Sequence, residues 1–312
     1  MIENPSSTIN RKAASAWTNY WQRGHQETCF NGAHGFSAED HWSDFFSIMP
    51  VDSRILDLAT GSGAVLNIAA ATSLKFRLHG VDQADIGTIG PGGSTLHPNI
   101  TIESLPFDAA SFDAITSQYG FEYSDTPATI QEIARVSAPA ASLRLLIHAK
   151  DGEVYRSTSA RLKRIETVMQ GKRNFIFASR EICERSPAYT PPPKLKKLEK
   201  KFGLLCTDMR KKFKDAPPDD AALYAVNYLS ELVAHRHLYD PSDTLRCIAE
   251  LNDDTKAYAF RIRSMLRAAQ SEQDMLTIAN QLAAAGFRKT RHALLRHGDH
   301  IVGWDLSAIF RS

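Results

Sequence analysis

Between residues 51 and 150, short apolar runs alternate with stretches whose apolar residues recur at three- and four-residue spacing. The runs at 55–58, 76–82, 99–102, 112–117 and 142–148 read as strands, and 64–70 and 127–136 as helices between them. Such alternation predicts parallel strands joined by right-handed crossovers, with ligands received at the carboxyl ends of the strands. From 151 to 271 the pattern changes. Residues 157–170, 193–214, 219–238 and 241–269 carry helical spacing, with breaks at Pro191-Pro192-Pro193 and Pro217-Pro218. Crossovers in this kind of fold take a dozen or so residues around one helix, so 151–271 is a helical insertion, expected to lie as a lid over the strand ends. A last helix at 274–285, stopped by Gly286, precedes an antiparallel hairpin of 287–295 and 300–309. The core thus resumes after the insertion, and the chain divides into 1–50, a core of 51–150 with 272–312, and a lid of 151–271.

The first strand carries the chemistry. It ends in Ala59-Thr60-Gly61-Ser62-Gly63 and runs into the Ala/Leu/Ile-rich segment up to Ala70. Glycine lets the backbone turn sharply and press against a ligand, and the helix N-terminus behind it offers free N–H groups to an anion. About twenty residues on, the second strand ends in Asp82, where a carboxylate can hold two ribose hydroxyls. These features suit a dinucleotide or S-adenosylmethionine. Asp57, two residues before the turn, and the lack of a third glycine after Gly63 favour the second.

Downstream stand Glu103-Ser104-Leu105-Pro106-Phe107-Asp108 and Ser111-Phe112-Asp113. With the glycine turn and Asp82, this order resembles the class I S-adenosylmethionine-dependent methyltransferases, particularly the branch with the ubiquinone/menaquinone C-methyltransferases and many small-molecule methyltransferases. The resemblance covers roughly residues 50 to 150 and the last 30 or so. It implies a Rossmann-like, mostly parallel seven-stranded sheet with an antiparallel last hairpin, here with a large helical insertion after the fifth strand. It also implies S-adenosyl-L-methionine as cofactor, with an N-terminal cap over it at 1–50. The cofactor-binding candidates are Tyr20 and Trp21 of the cap, Asp57, Ala59, Thr60, Gly61 and Gly63 of the turn, Asp82 and Gln83, Ile102 and Glu103, and Ser117 and Gln118. Two positions depart from the family pattern: Ala59 replaces the usual first glycine, and Thr101 stands where an acid commonly meets the adenine amino group. An aromatic such as Trp17, Tyr20 or Trp21 can attract the sulfonium by about 0.5–2 kcal/mol, or simply pack on the sheet. The strand-end rule adds Tyr119 and His148 as catalytic candidates, His148 being either a general base or a histidine satisfied by a neighbouring carbonyl. Glu122 and Tyr123 either join them or open the next helix and face water. No N-P-P-Y or D-P-P-Y follows the fourth strand, where Ser117-Gln118-Tyr119-Gly120 stands instead. By resemblance, this argues against methylation of adenine or glutamine amino groups.

Bulk properties narrow the picture further. The chain has 312 residues, 43% of them apolar, and a net charge of +2. It is neither a disordered acidic chain nor a wholesale polyanion binder. Four cysteines, Cys29, Cys183, Cys206 and Cys247, lie far apart without a C-x-x-C pair, so disulfides and a zinc site are not expected, nor is any other metal. His25, His34 and His41 lack ligand spacing and read as solvated or structural. The first residues lack a signal-type apolar core and no run of some eighteen apolar residues occurs, so a cytoplasmic enzyme is expected, without a membrane. Charge is uneven: residues 161–214 hold 16 Lys/Arg against 5 Asp/Glu, leaving 21 against 30 elsewhere. That basic segment is either the solvated face of a helix or a phosphate contact. The function expected is methylation of a small or medium-sized O-, N- or C-nucleophile bound under the lid. RNA or a ribosome-associated protein is the rival acceptor, a non-catalytic cofactor-binding subunit a further one, and a homodimer is left open.

Overall fold

The computed structural model describes residues 17, 18, 20, 21, 36–150, 152–169, 174–185 and 193–311. His25, Cys29, His34, Pro191 and Pro192 lie outside them. The described chain falls into two compact units, one formed by 1–156 with 264–312 and the other by 157–263.

The first unit is built on seven strands: β1 (Arg54–Leu58), β2 (Arg77–Val81), β3 (Thr95–His97), β4 (Phe112–Gln118), β5 (Ser137–Ile147), β6 (Phe287–His297) and β7 (His300–Phe310). Their order is β3-β2-β1-β4-β5-β7-β6. The first five run parallel, and β7 pairs antiparallel with both β5 and β6. The helices α1 (Ala38–Ser47), α2 (Ala64–Ala70) and α3 (Thr126–Val136) flank it. Side chains alternate across each strand. Leu56, Leu58, Ile115, Leu143 and Leu145 join Ile130 and Ile133 of α3 in one cluster. Ile55, Ala114 and Leu146 join Trp42 and Phe46 of α1 and Leu66 of α2 in another. Burial on both faces is why neighbouring residues such as Ile55 and Leu56 of β1, and Leu145, Leu146 and Ile147 of β5, are apolar side by side.

Two strands differ from the pattern's expectation. The third is Thr95–His97, not 99–102, because Pro98 ends it and Asn99 turns left-handed at φ 60°. Ile100 then donates to the Asp82 carbonyl at 2.9 Å, and Ile102 is buried as a loop residue. The fifth begins five residues early. Its pairing with β4 shifts between Phe112 and Ala114, near Pro139 and the left-handed Ala140, a bulge that hides the strand from a periodicity count. His41 is buried against Arg144 and Asp305, and its pKa falls to about 4, chiefly through burial.

Helices fill the second unit, and two long helices run across its boundaries. They are α4 (Glu153–Met169), α5 (Phe175–Glu184), α6 (Pro193–Lys212), α7 (Ala221–Ala234) and α8 (Pro241–Ala268). α5 escapes the sequence pattern because Phe175-Ile176-Phe177 is β-like in composition; Asn174 starts the helix by accepting from the Phe177 N–H at 2.9 Å. The core holds Val168, Phe175, Met209, Ala225, Leu229 and Ile248 among others. The chain re-enters the first unit before α9 (Glu272–Ala284), which opens with a Ser271/Asp274 capping box. Among the described residues no helix is long and apolar enough to cross a membrane.

Asp220 is the polar keystone of the helical unit. It is 1% exposed, accepts from the Ala222 and Leu223 N–H groups at the start of α7, and pairs with Arg164 at 2.7 Å. Asp220→Ala should cost about 3–5 kcal/mol, by unmaking the cap and stranding a largely buried guanidinium. Asp220→Asn, which keeps the cap, should cost less. Urea unfolding of the two variants beside wild type checks the order.

Candidate functional site

The site is assembled where β1, β2 and β4 end. Three left-handed residues in five make the turn after β1: Ala59 at φ 51°, Gly61 at 54° and Gly63 at 81°. Ala59 accepts the strain that a glycine would avoid. The Thr60 N–H donates to the Val81 carbonyl at 2.9 Å and ties the turn to β2. At Gly61 a β-carbon would fall inside the Trp21 indole, and at Gly63 one would lie 2.8 Å from Pro91. Both glycines are therefore required by close approach as well as by φ.

Asp57 lies beneath the turn, 1% exposed. Thr60 donates its hydroxyl to one carboxylate oxygen at 2.6 Å and Thr116 to the other at 2.8 Å. Burial drives the Asp57 pKa up to about 7, the nearby Asp82 charge adds to the rise, and the two hydroxyls oppose it. Asp82 is held by two backbone donors, Gly61 N–H and Ala84 N–H, each at 2.8 Å. Burial raises its pKa as well, against those two donors. A carboxylate oxygen has two lone-pair sites, so each oxygen of Asp82 keeps acceptor capacity towards the cavity it borders.

That cavity has a volume of about 120 Å³, and its walls include Trp17, Trp21, Asp82, Gln83, Ile102 and Glu103, with Ala59, Thr101, Tyr119 and Tyr123 among the rest. A second recess of about 50 Å³ reaches Asp57, Thr60 and Gln118 and shares Trp17, Trp21, Ala59 and Tyr119 with the first. A third, open recess of about 670 Å³ borders Ser62, Gly63 and Gln118 at the start of α2. Trp17 stacks on Trp21 with ring centres 6.2 Å apart. Tyr20 contacts both indoles edge-on.

Several of the expected residues are engaged within the protein, whether or not they line these spaces. The Ser117 hydroxyl donates to the Leu58 carbonyl at 2.9 Å and accepts from the Phe121 N–H, bracing β4 against β1. Gln118 accepts from the Trp42 indole N–H through its side-chain oxygen. Glu103 accepts from the Asp125 N–H at 3.0 Å. Tyr119, at φ 55°, lines both smaller recesses but gives its hydroxyl to the Val302 carbonyl at 3.1 Å. His148 stands behind it, 2% exposed, its ring stacked on Tyr119 at 4.2 Å. Glu122 holds His148 twice, accepting from its backbone N–H at 2.9 Å and meeting Nδ1 at 2.6 Å. Of the two readings of Glu122, the water-facing one fails: it is 4% exposed and completes a buried imidazole–carboxylate pair. Sequence reasoning missed that pair and the grip of Thr116 on Asp57. Only the pairing of Gln118 with Leu146 and of Asp57 with Thr116 across the sheet brings these residues together. No cluster of side chains able to hold a metal ion occurs among the described residues.

Residues 56–145 match the model of a family described as the methyltransferase domain, which names no narrower branch. No curated protein matches the chain. A methyltransferase from Haloferax volcanii, in complex with its activator, is 22% identical with a TM-score of 0.33, the match covering 45% of this chain and 62% of that one. A geranyl diphosphate C-methyltransferase from Streptomyces coelicolor is 13% identical with a TM-score of 0.37, covering 47% and 67%. An S-adenosylmethionine-dependent methyltransferase from Thermotoga maritima is 11% identical with a TM-score of 0.44, covering 96% and 99%. The chain thus spans less than two thirds of the Haloferax protein.

The buried Asp57 makes a test of these electrostatics. Its folded-state pKa of about 7 lies above the unfolded value of 3.8, so the native state holds the proton more tightly and this group's contribution to stability falls as pH rises from about 4 to 7. Asp57→Asn should therefore gain on wild type with pH, by up to about 1.4 kcal/mol per unit. Urea unfolding of both proteins at pH 5, 6 and 7.5 checks it; a constant difference would contradict the burial argument.

Proposed function

We propose that this chain, which carries a class I S-adenosylmethionine-dependent methyltransferase domain, methylates a small or medium-sized acceptor. The observation that carries the reading is Asp82: a buried carboxylate locked by the Gly61 and Ala84 N–H groups, yet bordering a cavity, is suited to accept from both hydroxyls of a ribose. In this reading Gln83, Ile102 and Glu103 flank the adenine. Ala59, Thr60, Gly61 and Gly63 cradle the methionine half above Asp57, beside Ser117 and Gln118, and the indole of Trp21, with Tyr20 packed on it, meets the sulfonium. The donor set fits the cofactor, but the space is divided. The two smaller recesses are each below the roughly 300 Å³ of an ordinary ligand pocket, and they share Trp21, which lies against Gly61. Binding then lifts the indole from the glycine and merges the two.

When bound, the sulfonium supplies an electrophilic methyl group that leaves by in-line displacement. The task of the protein is orientation and exclusion of water, worth on the order of 7–11 kcal/mol when geometry is ideal. Tyr119 and His148 serve that task as a wall rather than by touching the reacting atoms, because one hydroxyl is spent on Val302 and one imidazole is screened by the other's ring. An acceptor that must lose a proton gives it up to His148 only after Tyr119 moves aside, and Glu122 would hold the resulting imidazolium.

Calorimetric titration with S-adenosylhomocysteine tests the reading, with NADH as control. Micromolar binding is expected, with Asp82→Ala weaker by at least tenfold, and the intrinsic tryptophan emission should change on binding. Asp82→Asn, which keeps an acceptor for the Gly61 N–H, guards against a folding defect, monitored by thermal melting. Absence of binding to a folded wild-type chain would overturn the proposal.

A further inference from the structure

A recess unrelated to the cofactor site opens between α5 and α6. The helices pack through Phe175 and Phe202, whose ring centres are 4.9 Å apart. Beside that contact lies a cavity of about 520 Å³, within the range of pockets that take small molecules. Ile182 and Phe202 form its buried floor, Leu198 and Leu205 contribute to its wall, and Phe177 and Leu204 line it while 64% and 66% exposed. Single exposed apolar side chains are ordinary on a protein surface. Two that line one concavity with an apolar floor mark a binding surface.

The polar lining narrows what the recess can take. Asn174 is spent on the start of α5 and on the Met169 carbonyl. Glu181 is paired with Arg185 at 3.2 Å and Asp208 with Lys212 at 3.3 Å. Lys201 is exposed and has no ion-pair partner among the described residues. Lys197 stands one turn before it on the same exposed side of α6. The recess therefore offers apolar walls, two acids already paired, and one lysine, Lys201, left to meet a charged head.

We infer that this recess binds an anionic amphiphile, its apolar body against Phe177, Phe202 and Leu204 and its carboxylate or phosphate head at Lys201. A nucleic acid backbone would use the lysine face and leave the apolar recess idle. A bilayer is met by protruding apolar side chains, whereas these line a concavity. The inference is independent of methyl transfer, because every residue it uses lies within the helical unit.

The test uses the full chain and calorimetry with ten-carbon probes below their micellar concentrations: decyl phosphate, decanoate, decanol and decyltrimethylammonium. Decyl phosphate and decanoate should bind, and decyltrimethylammonium at least tenfold more weakly. Phe177→Ala and Leu204→Ala change exposed side chains and should preserve folding, checked by melting, while weakening all bound probes three- to tenfold. Lys201→Glu should weaken the two anions about fivefold, the scale of an exposed charge pair lost and reversed, and leave decanol unchanged. The affinities should be the same with S-adenosylhomocysteine present, and a failure of the core to bind that ligand would leave them untouched. No binding of either anion overturns the inference, as does indifference to head charge or to the Phe177 and Leu204 changes. Binding of an RNA oligonucleotide that is lost in Lys196→Glu and Lys200→Glu, with none for the amphiphiles, overturns it too.

Discussion

The hydrogen bond from the Gly61 N–H to the Asp82 carboxylate is the constraint on which the rest of the site depends. It joins the end of β1 to the end of β2 through a carboxyl oxygen in a buried place, where the loss of such a bond is costly. The second N–H, from Ala84, fixes the other oxygen and so the plane of the carboxylate. With that plane set, the turn keeps its three left-handed residues, Ala59, Gly61 and Gly63, of which Ala59 carries the strain. A displacement of Asp82 would thus be passed on to the whole turn.

Charge burial adds a second layer. Asp57 and Asp82 lie close enough for one to raise the pKa of the other, and both are pushed upward by burial. Two neighbouring buried carboxylates are a poor choice for stability alone. Under the proposed function, a cofactor that brings positive charge offsets the cost of ionising them on binding.

Much of this was legible in the chain, and the division follows physical range. The glycine turn, Asp82 and the core strands are written in local chemistry: turn residues, apolar periodicity and a short fixed spacing. The third strand was misplaced because Asn99 to Ile102 looks like a continuation of an apolar run, while Pro98 had already ended the pairing. Helix α5 was hidden by a β-like start. The pairing of Glu122 with His148 and the hold of Thr116 on Asp57 depend on sheet register, which no residue in either segment reveals by itself. Likewise, the recess between α5 and α6 appears only once the helices are packed, although the basic run beside it was plain from the start.

The indole lying against Gly61 has a thermodynamic consequence of its own. Gly61 is already covered by a side chain from the same molecule, so under the proposed function an incoming cofactor exchanges one contact for another. Measured affinity is then the intrinsic affinity reduced by the fraction of molecules in which Trp21 is raised. Two proteins with identical turns and identical carboxylates could differ in affinity through nothing more than how firmly an aromatic residue forty positions upstream settles onto its glycine.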